Sequence, residues 1–223
     1  KLYARFSRRE QLPESLAGIS KIIFPIENEP PEIPAGISAV AELPRITANE
    51  EYIKNRLELF KRRGFTKALC GNIAAGNIAL DCGFSVIADI GLNIYNSASA
   101  EEARNMGADE ITLSCEMLLS DISRLSSPVP TGIIAYGKLP LMLYRCCPVK
   151  NGKSCKECGG NGTVTDRKGV VFPIQCGKTY SEMLNSVPVW LADRKAELAP
   201  LDFLTLYFTD ETADDVRKII DSY

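Results

Sequence analysis

The sequence predicts an α/β protein, an irregular (β/α)8 TIM-type barrel. Two observations carry that prediction and a third adds an insertion to it. Eight short apolar runs recur along the 223 residues, several of them continuous rather than alternating, as strands covered on both faces are. The later runs alternate with helix signals. Five of the eight cysteines then crowd into residues 146–176, between the seventh run and the eighth. An open doubly wound sheet is the alternative arrangement of the same elements.

The eight runs are Leu2–Phe6, Lys21–Ile26, Ile37–Leu43, Thr66–Gly71, Phe84–Ile90, Glu110–Ser114, Thr131–Tyr136 and Asp202–Phe208. The first two connections are too short for full helices, and Pro30, Pro31 and Pro34 break the second, so the barrel begins irregularly. Thr47-x-x-Glu50 reads as a capping box opening a helix over Glu51–Arg63, stopped by Gly64. Ser99-x-x-Glu102 caps a shorter helix ending at Gly107. Thr179-x-x-Glu182 opens another through about Leu198, interrupted by Pro188, and a last helix covers Thr212–Ser222. Residues 1–223 therefore read as one barrel domain, with an inserted Cys-rich subdomain at 144–178.

Within that insertion, Gly159-Gly160-Asn161-Gly162 marks a turn. Thr163–Thr165 and Val170–Ile174 are expected to pair as a hairpin around Asp166-Arg167-Lys168-Gly169, returning Cys176 toward Cys155 and Cys158. A loop after a barrel strand belongs to the C-terminal rim, where barrel enzymes carry out their chemistry.

The cysteines can be written Cys147-x7-Cys155-x2-Cys158-x17-Cys176, set among glycines, lysines and turn residues. Cys155-x-x-Cys158 supplies two thiolates to one metal without strain, and Cys147 and Cys176, each beside a turn former, complete a four-thiolate set. Cys146 is the alternative to Cys147. Zinc and a [4Fe–4S] cluster use the same four thiolates, and spacing does not separate them. A closed zinc site would be structural, whereas a cluster would bring redox chemistry. Cys70, Cys82 and Cys115 lie in or beside apolar segments and read as core residues.

The sequence contains no histidine, which removes Ser–His and Cys–His pairs and the HExxH zinc site. There is no GxSxG elbow and no Asp-Thr-Gly or Asp-Ser-Gly. Gly152-Lys153-Ser154 and Gly177-Lys178-Thr179 end like P-loops, but the leading glycine is replaced by Cys147 and Phe172 respectively. What remains are polar residues near strand ends: Glu42, Arg45, Asn72, Asp89, Asn93, Ser114, Glu116, Tyr136, Lys138, Tyr207 and Asp210. Of these Asp89, Asn93, Glu116 and Lys138, joined by Arg167, form the catalytic candidate set.

The formal charge is −2, so there is no global attraction to nucleic acid. Its distribution is uneven: residues 138–178 carry eight basic and two acidic side chains, the remainder 18 and 26. Such a segment can offset its own thiolates or position a phosphate backbone. No apolar run approaches the length of a membrane span, no secretory signal pattern opens the chain, and clustered cysteines fit a reducing cytoplasm. The chain begins at Lys1, which suggests a piece of a longer protein with further domains.

Several segments occur together in a family-like order. They are Leu43-Pro44-Arg45-Ile46, Asp89-Ile90-Gly91-Leu92-Asn93-Ile94-Tyr95-Asn96-Ser97, Leu113-Ser114-Cys115-Glu116, Tyr136-Gly137-Lys138-Leu139-Pro140-Leu141-Met142, Cys147-Pro148, and Asp166-Arg167-Lys168-Gly169 with Phe172-Pro173. From about Leu43 to Glu211 this order resembles the collagenase-like U-32 peptidase family, in particular a barrel unit of its longer bacterial members. The resemblance implies a barrel fold in a bacterial, cytoplasmic protein. It also implies either peptidase activity or hydroxylation of RNA bases and ubiquinone precursors with cysteine-held iron–sulfur clusters. The cysteine spacing here departs from that of the better-known members.

Three functional expectations follow. The leading one is an RNA-modifying, hydroxylating enzyme with the four-cysteine site on the catalytic rim and Tyr144 or Phe172 stacking on a base. The second is a peptidase acting on a protein or peptide substrate, with Asp89 or Glu116 activating water and zinc merely folding the insertion. The third is a non-catalytic binding module of a larger enzyme.

Overall fold

The computed structural model describes residues 1–152, 154–160 and 162–223. Its elements in chain order begin with β1 (Leu2–Phe6), β2 (Ile19–Pro25), β3 (Ser38–Glu42), α1 (Glu50–Arg62), β4 (Lys67–Cys70) and α2 (Ile73–Asp81). There follow β5 (Ser85–Ala88), α3 (Ser97–Asn105), β6 (Ala108–Thr112), α4 (Leu119–Ile122) and β7 (Thr131–Gly137). Next come β8 (Pro140–Tyr144), α5 (Cys155–Cys158), β9 (Gly162–Thr165), β10 (Val171–Cys176), β11 (Ser181–Leu184), β12 (Val189–Trp190) and α6 (Lys195–Leu198). β13 (Phe203–Phe208) and α7 (Ala213–Ser222) complete the chain.

β1 to β6 pair in sequence and in parallel, β6 pairs with β7, β7 with β13 and β13 with β1. Those pairings close an eight-stranded parallel barrel and exclude the open sheet. The eight strands are the eight apolar runs. Between β1 and β2 there is only a single turn of 3₁₀ helix at Arg9–Gln11, so the barrel does begin irregularly.

Side chains alternate along each strand, and both faces are buried. The outward set, including Ala4, Phe6, Ile22, Phe24, Ala39 and Ala41, packs with Ile53, Leu57 and Phe60 of α1. The inward set has an apolar middle layer of Tyr3, Ile23, Val40, Leu69, Ile87 and Phe203. Polar residues occupy the ends of the interior. At the N-terminal end Lys21 donates to Tyr3 Oη at 2.7 Å and pairs with Glu110, which also accepts from Tyr3 Oη at 2.7 Å. Two steps along, at the C-terminal end, lie Arg5, Glu42, Asp89 and Tyr207.

The helices start where short polar side chains cap them, not always where the spacing predicts. Asn49, not Thr47, caps α1, its Oδ1 accepting from Tyr52 N at 2.9 Å. Thr47 instead donates to Asn72 Oδ1 at 3.2 Å, the side chain that caps α2. Asn96 caps α3 with Ser99 in a reciprocal box, and Thr212 caps α7.

The largest departure is Thr179–Leu198, expected as a helix. It contains β11, β12 and the one-turn α6. β11 lies between β8 and β10 in a four-stranded antiparallel sheet of order β8-β11-β10-β9, and that pairing overrides the local helix signal. β9 and β10 form the predicted hairpin. Asn161 of the predicted turn, and Lys153, lie outside the described residues.

Candidate functional site at the barrel mouth

The site is assembled where the antiparallel sheet sits over the C-terminal ends of the barrel strands. Arg5 is its centre, 4% exposed. Its Nε and Nη2 donate to the two oxygens of Glu42 at 3.0 and 2.7 Å, and Nη1 donates to Asp89 at 3.3 Å. The guanidinium lies 4.2 Å from the centre of the Tyr207 ring. Burial lifts the Glu42 carboxyl above its ordinary range, against the pull of Arg5. One buried and one half-buried carboxylate face a single, fully engaged guanidinium in this layer.

The sheet is fastened to the mouth by side chains. Tyr207 Oη donates to Gln175 Oε1 at 3.0 Å, and Gln175 Nε2 donates to Ser7 Oγ at 3.0 Å. Arg45 N donates to Tyr180 Oη at 3.0 Å, and Arg45 Nη1 to Glu182 Oε1 at 3.3 Å. Lys178 N donates to Glu27 at 3.1 Å and its ammonium to Tyr52 Oη at 2.9 Å. Burial pushes the Glu182 carboxyl up as well, against Arg45. Between sheet and barrel lies a cavity of about 390 Å³, whose wall includes Glu27, Glu42, Gln175, Tyr180, Glu182 and Tyr207. That volume is within the range of pockets that enclose a small ligand.

A second cavity, of about 310 Å³, opens inside the insertion and is lined by Cys147, Cys155, Cys158 and Cys176, with Arg145, Lys150 and Lys178 around them. Ser154 caps the one-turn α5 in a reciprocal box with Glu157, and Gly159 ends it in a left-handed conformation. That short helix sets Cys155 and Cys158, three residues apart, on one face. Burial raises the Cys147 thiol, but backbone N–H groups of Val149 and Lys150, Ser181 and Cys176 prevail and hold it below its ordinary value. Burial and the neighbouring Cys147 push Cys176 up. Gly162 stands where a Cβ would come within 2.6 Å of Val149 Cγ2 and 3.1 Å of Cys158 Sγ. All eight cysteines are free thiols.

Cys146 is exposed and lines neither cavity. The donor set is all sulfur, suited to zinc or an iron–sulfur cluster. As they stand, no three Cys, Asp or Glu side chains among the described residues converge closely enough to bind one ion. The four thiols line one cavity, with Cys147 and Cys176 in contact. The two cavities share Gly160, Cys176, Gly177 and Tyr180 in their walls.

The expected catalytic residues are dispersed. Asp89 sits below the mouth cavity, reached through Arg5. Asn93 is exposed, accepts from Ser114 Oγ at 2.5 Å and holds a left-handed backbone at φ 50°. Glu116 is exposed, its N–H donating to Ser114 Oγ at 3.2 Å. Lys138 pairs with Asp210 at 2.8 Å, and Arg167 is exposed on the turn between β9 and β10. Cys70 is buried, Cys82 half-buried, and Cys115 exposed, contrary to its reading as a core residue. Tyr144 and Phe172 line neither cavity; the aromatic walls of the mouth are Tyr180 and Tyr207. Arg5, Glu27, Gln175, Tyr180 and Glu182 are additions. Arg5 had one visible signal, a charge inside the apolar run Leu-Tyr-Ala-Arg-Phe.

Fold and site together define a (β/α)8 barrel whose mouth is roofed by a cysteine-bearing antiparallel sheet. The solved structure of the U32 peptidase Mk0906 has a similar fold, with a TM-score of 0.54 at 14% identity, over 95% of this chain and 94% of that one. That likeness agrees with the fold implied by the sequence resemblance. No protein-family model matches the sequence. No curated protein matches it. Among the described residues no helix is long and apolar enough to cross a membrane.

Proposed function

We propose that the chain is the barrel unit of an enzyme that modifies RNA bases, with an iron–sulfur cluster held by Cys147, Cys155, Cys158 and Cys176. The observation that carries this reading is the shared wall: whatever the thiols hold lies beside the barrel-mouth cavity. One zinc ion needs four sulfurs at about 2.3 Å, hence within about 4 Å of each other. The same four thiols can also hold a polynuclear cluster, and metal analysis separates the two. Gly162 lets the start of β9 pack closely against Val149 and Cys158, where a Cβ would clash. When bound, the cluster supplies electron transfer at the edge of the substrate pocket.

The chain's own residues then divide the remaining work. Tyr180 and Tyr207 wall the pocket, Glu42 and Glu182 present carboxyl oxygens to it, and the antiparallel sheet covers it from above. Arg145, Lys150 and Lys178 offer positive charge to a phosphate backbone. This reading belongs in a reducing cytoplasm. Metal and sulfide analysis of anaerobically purified protein tests it, with absorption near about 400 nm expected for thiolate-bound iron. One zinc per chain and no iron would sink the cluster. Binding of a tRNA and rRNA mixture is expected to persist at about 200 mM salt.

A peptidase is the second reading, favoured by Glu42 and Glu182 facing one cavity with raised pKa values and by the peptidase named in the similar structure. It requires cleavage of denatured collagen that is lost on Glu182→Gln and retained on Cys155→Ser.

A further inference from the structure

The two adjoining cavities have opposite electrostatic character. Charged residues in the wall of the mouth cavity are Glu27, Glu42, Glu182 and Asp210 against Arg8 alone. The thiol cavity has Arg145, Lys150 and Lys178 in its wall and, among the described residues, no carboxylate. The two arginines nearest the mouth do not reverse this balance, because Arg5 is engaged by Glu42 and Asp89, and Arg45 by Glu182.

On the side of Glu182 and Glu42 the mouth presents hydrogen-bond acceptors. Glu182 is 7% exposed, and its Oε1 accepts from Arg45, while its Oε2 accepts from no described residue. Oε2 is not sealed from solvent, since no buried side-chain oxygen or nitrogen among the described residues lacks a partner. Glu182 lines the cavity, so the free oxygen is available to a ligand there. Each Glu42 oxygen takes one hydrogen bond from Arg5 and retains a second acceptor site. Of the neighbouring donors, Tyr207 donates to Gln175 and the Gln175 amide to Ser7, which leaves the Tyr180 hydroxyl, itself accepting from Arg45 N, and the Arg8 guanidinium as the open donors of the wall. A carbonyl placed against Glu182 would meet an acceptor, whereas an amino group would supply the missing donor.

We infer that the barrel mouth selects a planar ring bearing an exocyclic amino group, which donates to Glu182 and Glu42, on a ligand whose phosphate lies against Arg145, Lys150 and Lys178. This rests on the nucleic-acid reading of the site and narrows it to amino-bearing bases. A pocket that offers a hydrogen-bond partner to one group discriminates strongly against its isostere, because the mismatch leaves buried polar atoms unpaired.

The test is equilibrium binding of cytidine 5′-monophosphate and uridine 5′-monophosphate, which exchange an amino group for a carbonyl at one ring position, followed by NMR on protein as purified anaerobically. Cytidine monophosphate is expected to bind at least about tenfold more tightly. Glu182→Gln, whose amide can present either a donor or an acceptor, is expected to reduce that ratio below about threefold, and Lys178→Ala to weaken both ligands alike. Melting curves of each variant check folding, and Glu27→Gln, at the edge of the pocket, serves if Glu182→Gln does not fold: it is expected to lower the ratio by a smaller factor. Equal binding of the two nucleotides, binding of neither, or an unchanged ratio in the folded variant overturns the inference. RNA binding and iron content would stand unaffected by that failure, whereas loss of both with the ratio intact would overturn the RNA-modification reading alone.

Discussion

Arg5 shows how one buried charge organises the mouth. It reaches Glu42 on β3 and Asp89 after β5, and it stacks on Tyr207 of β13, so three strands are tied through one guanidinium. Arg5→Met leaves two carboxylates facing each other without a cation and is expected to cost about 3–5 kcal/mol in urea unfolding at pH 7.5. The sign with pH follows from Glu42, whose carboxyl is raised in the fold. A raised acid contributes stability that is present below its unfolded pKa and lost as pH rises through its folded pKa. Without Arg5 that pKa rises further, so the deficit of the variant is expected to shrink between pH 7.5 and pH 5. A deficit below about 1 kcal/mol, or one that grows as pH falls, would show that Arg5 is not the counter-charge of this layer.

Among the elements, α5 and the strand that follows it decide the shape of the thiol cavity. A one-turn helix is not stable by itself, and here a capping box at Ser154 and the left-handed Gly159 define its ends. Gly162 then opens β9 immediately against Val149 and Cys158. Gly162→Ala is expected to displace both and to lower iron content after anaerobic reconstitution by at least about half, with a stability cost of about 1–3 kcal/mol from overpacking. Unchanged iron content would show that the close packing of Gly162 against Cys158 does not shape the site. At the barrel edge Gly137 ends β7 with φ 130°, and a Cβ there would lie 2.3 Å from Tyr207 O. The main chain can therefore leave the barrel for β8 directly above β13.

For the whole molecule, the insertion and the barrel meet through polar side chains instead of a common apolar core. Gln175, Lys178, Tyr180 and Glu182 make that contact, and Cys176 lies within the same stretch. A group bound by the cysteines, as proposed, would therefore stabilise the roof and, through it, the mouth. Because a ligand that binds only the folded state raises its stability, reconstitution with iron and sulfide is expected to raise Tm and slow amide exchange in β10 and β11. Cys155→Ser is expected to abolish both effects. A Tm gain without slower exchange in those strands would mean that the group does not act on the roof.

The sequence by itself determined the barrel, its irregular start and the cysteine set, for a local physical reason. A strand buried on both faces is apolar at most of its positions, and Cys155-x-x-Cys158 places two thiols together through one helical turn. The β9–β10 hairpin was legible for the same reason, since its turn residues lie between its strands. Thr179-x-x-Glu182 misled because a capping pattern states a preference of a few residues, and pairing with β8 and β10 outweighed it. The mouth was decided only by tertiary structure. Residues 5, 42, 89, 182 and 207 meet because a closed barrel brings its strand ends to one ring and the insertion folds back across it. Glu182 reads as a helix cap in its own neighbourhood and becomes a pocket carboxylate only when Arg45 and the barrel rim are brought against it.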